Sequence, residues 1–258
     1  MLEIAYTQHS GGASRQQQDA IWTGQFILQT RNVQVGSHNG EAPVLLAVAD
    51  GVAASTRPAR ASRFVVEALS RYACHERLTG KQVREIQAKL ADKYAGGDTH
   101  GSSTTLVAAR VTENRCEIVN VGDSRAYLFS PEGECRQLSE DHTILNALIA
   151  SGEVIPEEGV EYAQMYQGLA HCLTADAEEY GFALHFQESA FDKGAGLLLC
   201  SDGLHDAIGD GKIRELYQAG LSAADQVDRW RQAVIEAGGP DNLSILFVRQ
   251  CPRINLLQ

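Results

Sequence analysis

The sequence contains no run of about 18 or more apolar residues, so no segment is predicted to cross a membrane as a helix. Its start, MLEIAYTQHS, lacks a basic region followed by a long apolar core, and we expect no signal peptide. The six cysteines include no Cys-x-x-Cys pair, which argues against a zinc site and favours reduced thiols in a cytoplasmic protein.

Positive charge is scarce, because 22 Lys and Arg residues stand against 33 Asp and Glu residues, for a net charge of −11. So acidic a surface attracts neither nucleic acid nor anionic membranes, and both are excluded as expected partners. The composition, 44% hydrophobic and 21% charged over 258 residues, is typical of a globular protein with a real core. No repeat or composition shift marks a boundary, so we expect one domain over residues 1–258.

Motifs for several common catalytic sites are missing. The chain has no Cys-x5-Arg loop, no Gly-x-Ser-x-Gly elbow, no His-Glu-x-x-His helix and no Gly-Lys-Ser/Thr phosphate loop. The sequence therefore offers no recognisable nucleophile, zinc helix or nucleotide loop.

The stretch PVLLAVADGVAAS, residues 43–55, contains the most informative acid of the chain. Six apolar residues, Val44 to Ala49, run directly into Asp50 and Gly51. Such a run predicts a strand that is buried on both faces. An acid at its end is well placed for a metal, and a glycine there can turn sharply and offer its carbonyl. We predict that Asp50 is the central ligand of a catalytic metal site.

Two further acids occur in the same kind of position. Asp202 follows GLLLCS and precedes Gly203, and Asp241 precedes the apolar run LSILFV. Carboxylates that converge repel each other unless a cation lies between them, and their hard oxygens suit Mg²⁺ or Mn²⁺ rather than zinc. An Asp-Gly pair is also a common turn signal. Spacing alone leaves turns and metal ligands as open alternatives.

Hydrophobic periodicity and turn residues predict strands grouped apart from helices, which favours an α+β fold. Residues 36–42 are predicted as a linker, and residues 103–111, 115–121 and 125–129 as consecutive antiparallel strands. The other predicted strands are 2–8, 21–22, 26–28, 44–49, 182–187, 197–200 and 243–248, and the predicted helices are 58–72, 81–94, 143–150, 211–219 and 223–237.

Seven segments, taken together and in order, resemble the metal-dependent protein serine/threonine phosphatases of type 2C (the PPM family), particularly the bacterial members. The segments are QQDA (17–20), VADGV (48–52), GSSTTL (101–106), NVGDSRAYL (120–128), LSEDHT (138–143), LCSDGLHD (199–206) and GGPDNLSILFV (238–248). The resemblance implies a four-layer α-β-β-α sandwich of two antiparallel sheets flanked by helices. It also implies a monomer that acts on phosphoserine and phosphothreonine in proteins and opposes a bacterial Ser/Thr kinase.

The same resemblance implies two core ions, Mn²⁺ or Mg²⁺. Asp50 would bridge them, Asp202 and Asp241 would complete the shell of the first, and Gly51 would give its carbonyl to the second. A water that bridges the ions would attack phosphorus directly, without a covalent enzyme intermediate. Paired ions of this kind acidify water and neutralise phosphoryl oxygens, which the very slow uncatalysed reaction requires.

The resemblance gives three further residues a role. Asp19 would hold metal-bound water, and Asp123, together with Asp202, would hold a third and weaker ion. For Asp123 a plain hairpin-turn role is the alternative. The family's phosphate-gripping Arg would fall at Ser14, and the neighbouring Arg15 is our candidate for that role.

The sequence also departs from the family pattern. Ala53 and Ala54 replace the usual small flexible pair, and Val52 stands where eukaryotic members have a general-acid His. His142 and His205 are interpreted as packing or surface residues. These departures leave open a catalytically weak or inactive phosphoprotein-binding relative. Acidic ligands alone would also allow a metal-dependent hydrolase of other phosphoesters. A variable acidic flap, residues 153–180, would disfavour acidic phosphopeptides through Glu153, Glu157, Glu158 and Glu161.

Overall fold

Two antiparallel sheets lie at the centre of the protein, in a computed structural model that describes residues 1–12, 16–156, 160, 162–178 and 181–250. The strands are β1 (Leu2–His9), β2 (Ala20–Trp22), β3 (Ile27–Leu28), β4 (Asn32–Gly40), β5 (Val44–Ala49), β6 (Ser103–Thr104), β7 (Leu106–Val111), β8 (Arg115–Val121), β9 (Arg125–Phe129), β10 (Cys135–Gln137), β11 (Leu173–Thr174), β12 (His185–Ala190), β13 (Gly196–Cys200) and β14 (Leu243–Gln250).

The first sheet has the strand order β10-β9-β13-β14-β1-β4, and the second has the order β12-β8-β7-β5-β2-β3. Strands β6 and β11 form a small separate ribbon. In the second sheet β5 lies between β2 and β7, with Val48 opposite both Ile21 and Val107. Asp50 therefore emerges from an interior strand of the sheet.

The helices are α1 (Pro58–Ser70), α2 (Gly80–Tyr94), α3 (Ile144–Ala150), α4 (Asp202–Leu216) and α5 (Ala223–Glu236), with short 3₁₀ turns at Gly97–Thr99 and Gln164–Gln167. Pro58 occupies the first turn of α1, where a missing N–H leaves no hydrogen bond unmade. Thr79 and Gln82 form a capping box that starts α2, and Ser222 caps α5 by accepting from the backbone N of Asp225. Local sequence thus fixes where these three helices begin.

The elements stack in four layers. Helices α1 and α2 pack on the outer face of the second sheet, and α4 and α5 pack on the outer face of the first. The space between the sheets is filled by apolar side chains, among them Leu2, Ile4, Ile21, Leu46, Val48, Val107, Ile118, Leu197, Leu199 and Leu246. The expected α-β-β-α sandwich is confirmed.

Strand β5 is buried on both faces, as its unbroken apolar run predicts. Leu45 points toward the helix layer with α1 and α2, whereas Leu46 and Val48 point into the space between the sheets. Leu45 is 2% exposed and Leu46 is fully buried.

Three predicted element boundaries are wrong. The predicted linker 36–42 belongs largely to the edge strand β4. Its pairing with β1 uses backbone hydrogen bonds, so the strand forms without an apolar pattern in its sequence. The helix predicted at 211–219 begins at Asp202, and Gly209 kinks it with a φ of 72°. The sequence did not predict the first turns of this helix, because its glycines have low helix propensity. The strand predicted at 182–187 lies at His185–Ala190.

The predicted series of consecutive antiparallel strands is confirmed for β7 and β8 and is wrong for β8 and β9. Strand β8 pairs with β7 and β12, but β9 pairs with β10 and β13 in the other sheet. The turn at Gly122, Asp123 and Ser124 is therefore a crossover between the two sheets. Both strands are short and apolar, so a local pattern does not distinguish a hairpin from a crossover.

None of the helices within the described part of the chain is both long and apolar enough to pass through a membrane.

We expect Leu45→Ala and Leu46→Ala to lower the free energy of unfolding by similar amounts, about 2–5 kcal/mol, since each leaves a cavity in a different core. Chemical denaturation followed by circular dichroism measures both. Gln34→Ala on the exposed face of β4 is the control, with an expected change below about 0.5 kcal/mol. A cost for only one of the two leucines would contradict burial on both faces of β5.

Candidate metal centre

Four aspartates that are distant in the sequence line one pocket of about 220 Å³ at the ends of the central strands. They are Asp50, Asp123, Asp202 and Asp241, and Gly51 joins them in the wall. A larger cavity of about 850 Å³ beside Leu2, Gly40 and Gln250 includes none of them. The fold thus brings together four acids that the sequence analysis singled out.

The backbone of Asp50 is held by two threonines of the GSSTTL segment. Its N–H donates to Thr105 Oγ1 at 3.0 Å, and its carbonyl accepts from the Thr105 N–H at 2.8 Å and from the Thr104 hydroxyl at 2.7 Å. The Val52 N–H donates to the Ser103 carbonyl at 3.0 Å. These bonds leave the Asp50 carboxylate available to the pocket. The segment matches the family pattern in the sequence, but these threonines were assigned no role there; the signal was their polar run directly before the apolar strand β7.

Gly51 and Gly203 are required by close backbone approach. A Cβ on Gly51 would lie 2.7 Å from the carbonyl oxygens of Gln18 and Pro58, and one on Gly203 would lie 2.1 Å from the carbonyl oxygen of Asn242. Real Cβ atoms do not approach backbone oxygens so closely. Each glycine therefore lets two chain segments meet beside an aspartate of the pocket.

Ala53 and Ala54 occupy the turn after Gly51, where the sequence departs from the family pattern. Both are exposed, and the Ser55 N–H closes the turn on the Val52 carbonyl at 2.8 Å. No non-glycine residue among those the structure describes has a positive φ. This turn therefore needs no left-handed backbone and accommodates alanine without strain.

Asp202 and Asp241 meet because β13 and β14 are neighbours in the first sheet. Ser201 links the two strand ends, donating its N–H to the Ser244 carbonyl at 3.1 Å and accepting at Oγ from the Ser244 N–H at 3.0 Å. Asn242 Oδ1 accepts from the Gln18 N–H at 2.6 Å. The loop that contains Asp19 is thereby tied to the same edge.

Asp19 is fully buried, and neither of its carboxylate oxygens has a hydrogen-bond partner of normal geometry; the same holds for Oδ1 of Asp202. Burial raises the pKa of Asp19 to about 7, and the nearby Asp202 charge adds to this, although the hydroxyls of Ser244 and Ser201 lie near enough to lower it in part. An unpaired buried carboxylate is strongly unfavourable in a folded protein. A divalent cation would satisfy these oxygens, so the residues fit a metal site.

Three of the acids that line the pocket also have a raised pKa. Burial, then the charges of Asp19 and Asp202, raises the pKa of Asp50 well above its ordinary value. Burial also raises the pKa of Asp202, and that of Asp123 rises to about 7 through burial and then the Asp202 charge. The direct interaction between the two carboxyls raises the pKa of Asp50 and lowers that of Asp202 in part.

The acids surround the pocket without closing on a single point. Among the described residues, no group of three or more His, Cys, Asp or Glu side chains is arranged to hold an ion as it stands. A centre here therefore requires the carboxylates to move inward, or backbone carbonyls and water as additional ligands, which hard cations accept.

Asp123 lies in the crossover between the sheets, so its hairpin-turn interpretation is wrong. Arg125 anchors this loop by donating from Nε to both carboxylate oxygens of Asp141, at 3.0 and 2.9 Å, and from Nη1 to Asp210 at 2.9 Å. Tyr127 donates its hydroxyl to the same Asp210 oxygen at 2.7 Å. The Arg of the GDSR segment thus connects the loop to α4.

The two histidines are buried beside this loop. His205 places Nε2 3.2 Å from the Asp123 carbonyl and Nδ1 3.0 Å from Asp206 Oδ1. His142 Nδ1 accepts from the Gly122 N–H at 3.0 Å. Each histidine thus contacts the loop backbone, and His205 also contacts the Asp206 carboxylate, which agrees with packing roles.

Arg15, our candidate for gripping phosphate, lies outside the described residues, as do Ser14 and the flap acids Glu157, Glu158 and Glu161.

A four-layer sandwich, with a pocket at its strand ends whose carboxylates require a cation, defines a class of metal-dependent hydrolases. Residues 33–241 match the family model of protein phosphatase 2C. The chain is 32% identical over 181 residues to the serine/threonine phosphatase stp of Listeria innocua, covering 69% of this chain and 68% of that protein. The chain therefore belongs to the protein phosphatase 2C family.

Solved structures agree. The crystal structure of the Mycobacterium tuberculosis serine/threonine phosphatase PstP/Ppp superposes with a TM-score of 0.78 at 26% identity, covering 98% of this chain and all of that one. A PstP catalytic domain in complex with two manganese ions superposes with a TM-score of 0.70 at 27% identity, covering 98% and 100%. A divalent metal cofactor follows from the family and the pocket together.

Gly51→Ala should lower the free energy of unfolding by about 2 kcal/mol or more, because its Cβ meets backbone that cannot give way. Thermal melting measures the loss. Gly12→Ala, where a Cβ meets nothing within 4 Å, is the matched control and should melt within a few degrees of the parent. Equal melting of all three proteins would contradict the close approach at Gly51.

The metal-free protein should lose stability as pH rises from about 4 to about 7. Asp19 and Asp123 keep their protons to about pH 7 when folded, against about 3.9 when unfolded, so their contribution is complete at low pH and lost through this window. We expect a fall of about 1–3 kcal/mol between pH 5 and pH 8 in EDTA. Asp123→Asn should reduce this fall to the share of Asp19, whereas the exposed Asp192→Asn should leave it unchanged.

Denaturant titrations at the two pH values measure this slope. A slope that is unchanged in Asp123→Asn would show that this carboxyl is not the strained group.

Proposed function

We propose that the protein removes phosphate from phosphoserine and phosphothreonine in proteins with the acid pocket as its metal-dependent active site. Membership of the protein phosphatase 2C family makes it a protein serine/threonine phosphatase. The observation that supports this active site most directly is the set of buried, unpartnered carboxylate oxygens beside a pocket of four aspartates.

The proposed ligand set follows the sequence prediction. Asp50 would serve both of two Mn²⁺ or Mg²⁺ ions, Asp202 and Asp241 would hold the first, and the Gly51 carbonyl would serve the second. When bound, such ions would acidify water for attack on phosphorus and neutralise the phosphoryl oxygens. Asp19 would orient water from its buried position, and Asp123 with Asp202 would hold a third, weaker ion.

The protein's own groups prepare the site for cations. Burial raises the pKa of Asp50 and Asp202, so a cation that binds there must displace protons. Metal affinity should therefore rise with pH. Thr104 and Thr105 keep the Asp50 backbone fixed while its carboxylate moves.

Arg15 remains the proposed phosphate-gripping residue. We also propose that the protein is a cytoplasmic monomer whose substrates are phosphorylated by a Ser/Thr kinase. Cys74, Cys116, Cys135 and Cys200 are free thiols, which supports a reducing compartment. No observation favours the inactive phosphoprotein-binding alternative.

Phosphate release from a phosphothreonine peptide with Mn²⁺ tests the proposal. Asp50→Ala and Asp202→Ala should each reduce kcat/KM at least about 100-fold, since each removes a proposed direct ligand. Asp192→Ala, an exposed acid outside the pocket, should match the parent. Equal turnover in the two ligand variants would refute the metal assignment, and no turnover in the parent would refute the activity.

A further inference from the structure

A second groove, of about 440 Å³, opens beside the acid pocket. Gln18 and Ala53 line both, so the two spaces share a wall. The rest of the groove is formed by the turn after Gly51 and the start of α1: Gln16, Ser55, Thr56, Arg57, Pro58, Ala59 and Arg60. A peptide whose phosphorylated residue occupied the acid pocket would reach the groove within a few residues, at about 3.3–3.6 Å per extended residue.

Of the described residues that line this groove, Arg57 and Arg60 are charged and none is acidic. In a chain with a net charge of −11, a purely cationic groove beside a purely anionic pocket is a local reversal of sign. Such a reversal attracts an anionic group to one side of the site.

Both guanidinium groups are accessible to a ligand. Arg60 is exposed, and within the described ranges no ion pair or side-chain hydrogen bond is seen for it. Arg57 pairs with Asp98 at 2.9 Å, but the two side chains are 51% and 69% exposed. An exposed pair contributes little and exchanges readily for a better anion.

The shared wall is held in place. Gln18 donates its N–H to Asn242 Oδ1 and accepts at its carbonyl from the Ser62 hydroxyl of α1. Helix α1 itself packs on the second sheet through Val65 and Leu69. The arginines therefore sit at a fixed position relative to the acid pocket.

We propose that Arg57 and Arg60 determine substrate specificity by binding an anionic side chain, carboxylate or phosphate, a few residues from the scissile phosphoresidue. This inference rests on the proposed function. It names a substrate class: phosphoproteins with an acidic residue or a second phosphate on one side of the target. Arginine favours such anions because its planar fork can donate two parallel hydrogen bonds.

The acids of the flap, residues 153–180, are predicted to disfavour acidic phosphopeptides, but the flap lines a different wall of the acid pocket from the groove. Gln167, Gly168 and Leu169 line the acid pocket but not the groove. An anionic side chain of the substrate should therefore be favoured only on the side that faces the groove. This predicts a preference for acidic residues either before or after the phosphoresidue, but not both.

The test compares phosphothreonine peptides with neutral flanks, with aspartates before the phosphoresidue, and with aspartates after it. With Mn²⁺, one of the two acidic peptides should exceed the neutral one about fivefold in kcat/KM, chiefly through KM, as expected for exposed charge-assisted hydrogen bonds. A peptide with a second phosphothreonine in that position shows whether phosphate is preferred to carboxylate.

The variants make the assignment specific. Arg57→Ala combined with Arg60→Ala should remove the preference and leave the neutral peptide unaffected. Arg63→Ala, on the same helix but outside the groove and paired with Glu67, is the matched control and should retain it. Asp98→Asn should strengthen the preference, because it frees Arg57.

Equal kcat/KM for the neutral and both acidic peptides, or a preference that survives in the double variant, would overturn the inference and leave the proposed function intact. Absence of turnover for every peptide would refute the proposed function, and this inference with it.

Discussion

Mutual repulsion among buried carboxylates is the constraint on which the rest of this structure depends. Asp19, Asp50, Asp123 and Asp202 have raised pKa values because burial and one another's charges disfavour ionisation. A fold that gathers such groups is stable only if its core offsets their unfavourable burial, or if cations or protons neutralise them. The two-sided burial of β5 and the three apolar layers supply that core. The site and the scaffold are thus coupled through electrostatics.

Several hydrogen bonds fix the backbone around the pocket, whereas the carboxylate side chains are held by few. Threonine hydroxyls hold Asp50, Asn242 ties in the Gln18 segment, and Arg125 anchors the Asp123 crossover to α4. The carboxylate oxygens themselves lack full sets of partners. Such a division suits a metal enzyme, because the main chain sets the positions while the side chains adjust to the ions. The neighbouring groove is also positioned by the main chain, because helix α1 holds the positive charges of Arg57 and Arg60 at a fixed distance from the acid pocket.

The sequence predicted the helices that have clear caps, the two-faced strand β5 and the identity of the acids. The sequence-based prediction failed where the local pattern of residues does not indicate which segments pack or pair with each other. The polar edge strand β4 looked like a linker, the glycine-rich start of α4 hid a helix, and the crossover at Asp123 looked like a hairpin. The two strand errors have one cause: pairing in sheets is a long-range property, and short segments satisfy several pairings equally well. The helix error follows from the low helix propensity of glycine.

By itself, the sequence determined the chemistry available to this protein. Hard oxygen ligands at the ends of apolar strands, no recognisable nucleophile motif and the ordered phosphatase segments define a metal-dependent reaction at phosphorus. Only the tertiary structure decided which groups meet. It joined Asp202 and Asp241 through neighbouring strands, sent Asp123 across from one sheet to the other, and set Arg57 and Arg60 beside the pocket. Those meetings depend on strand order and layer packing, because residues far apart in a chain become neighbours only through the fold.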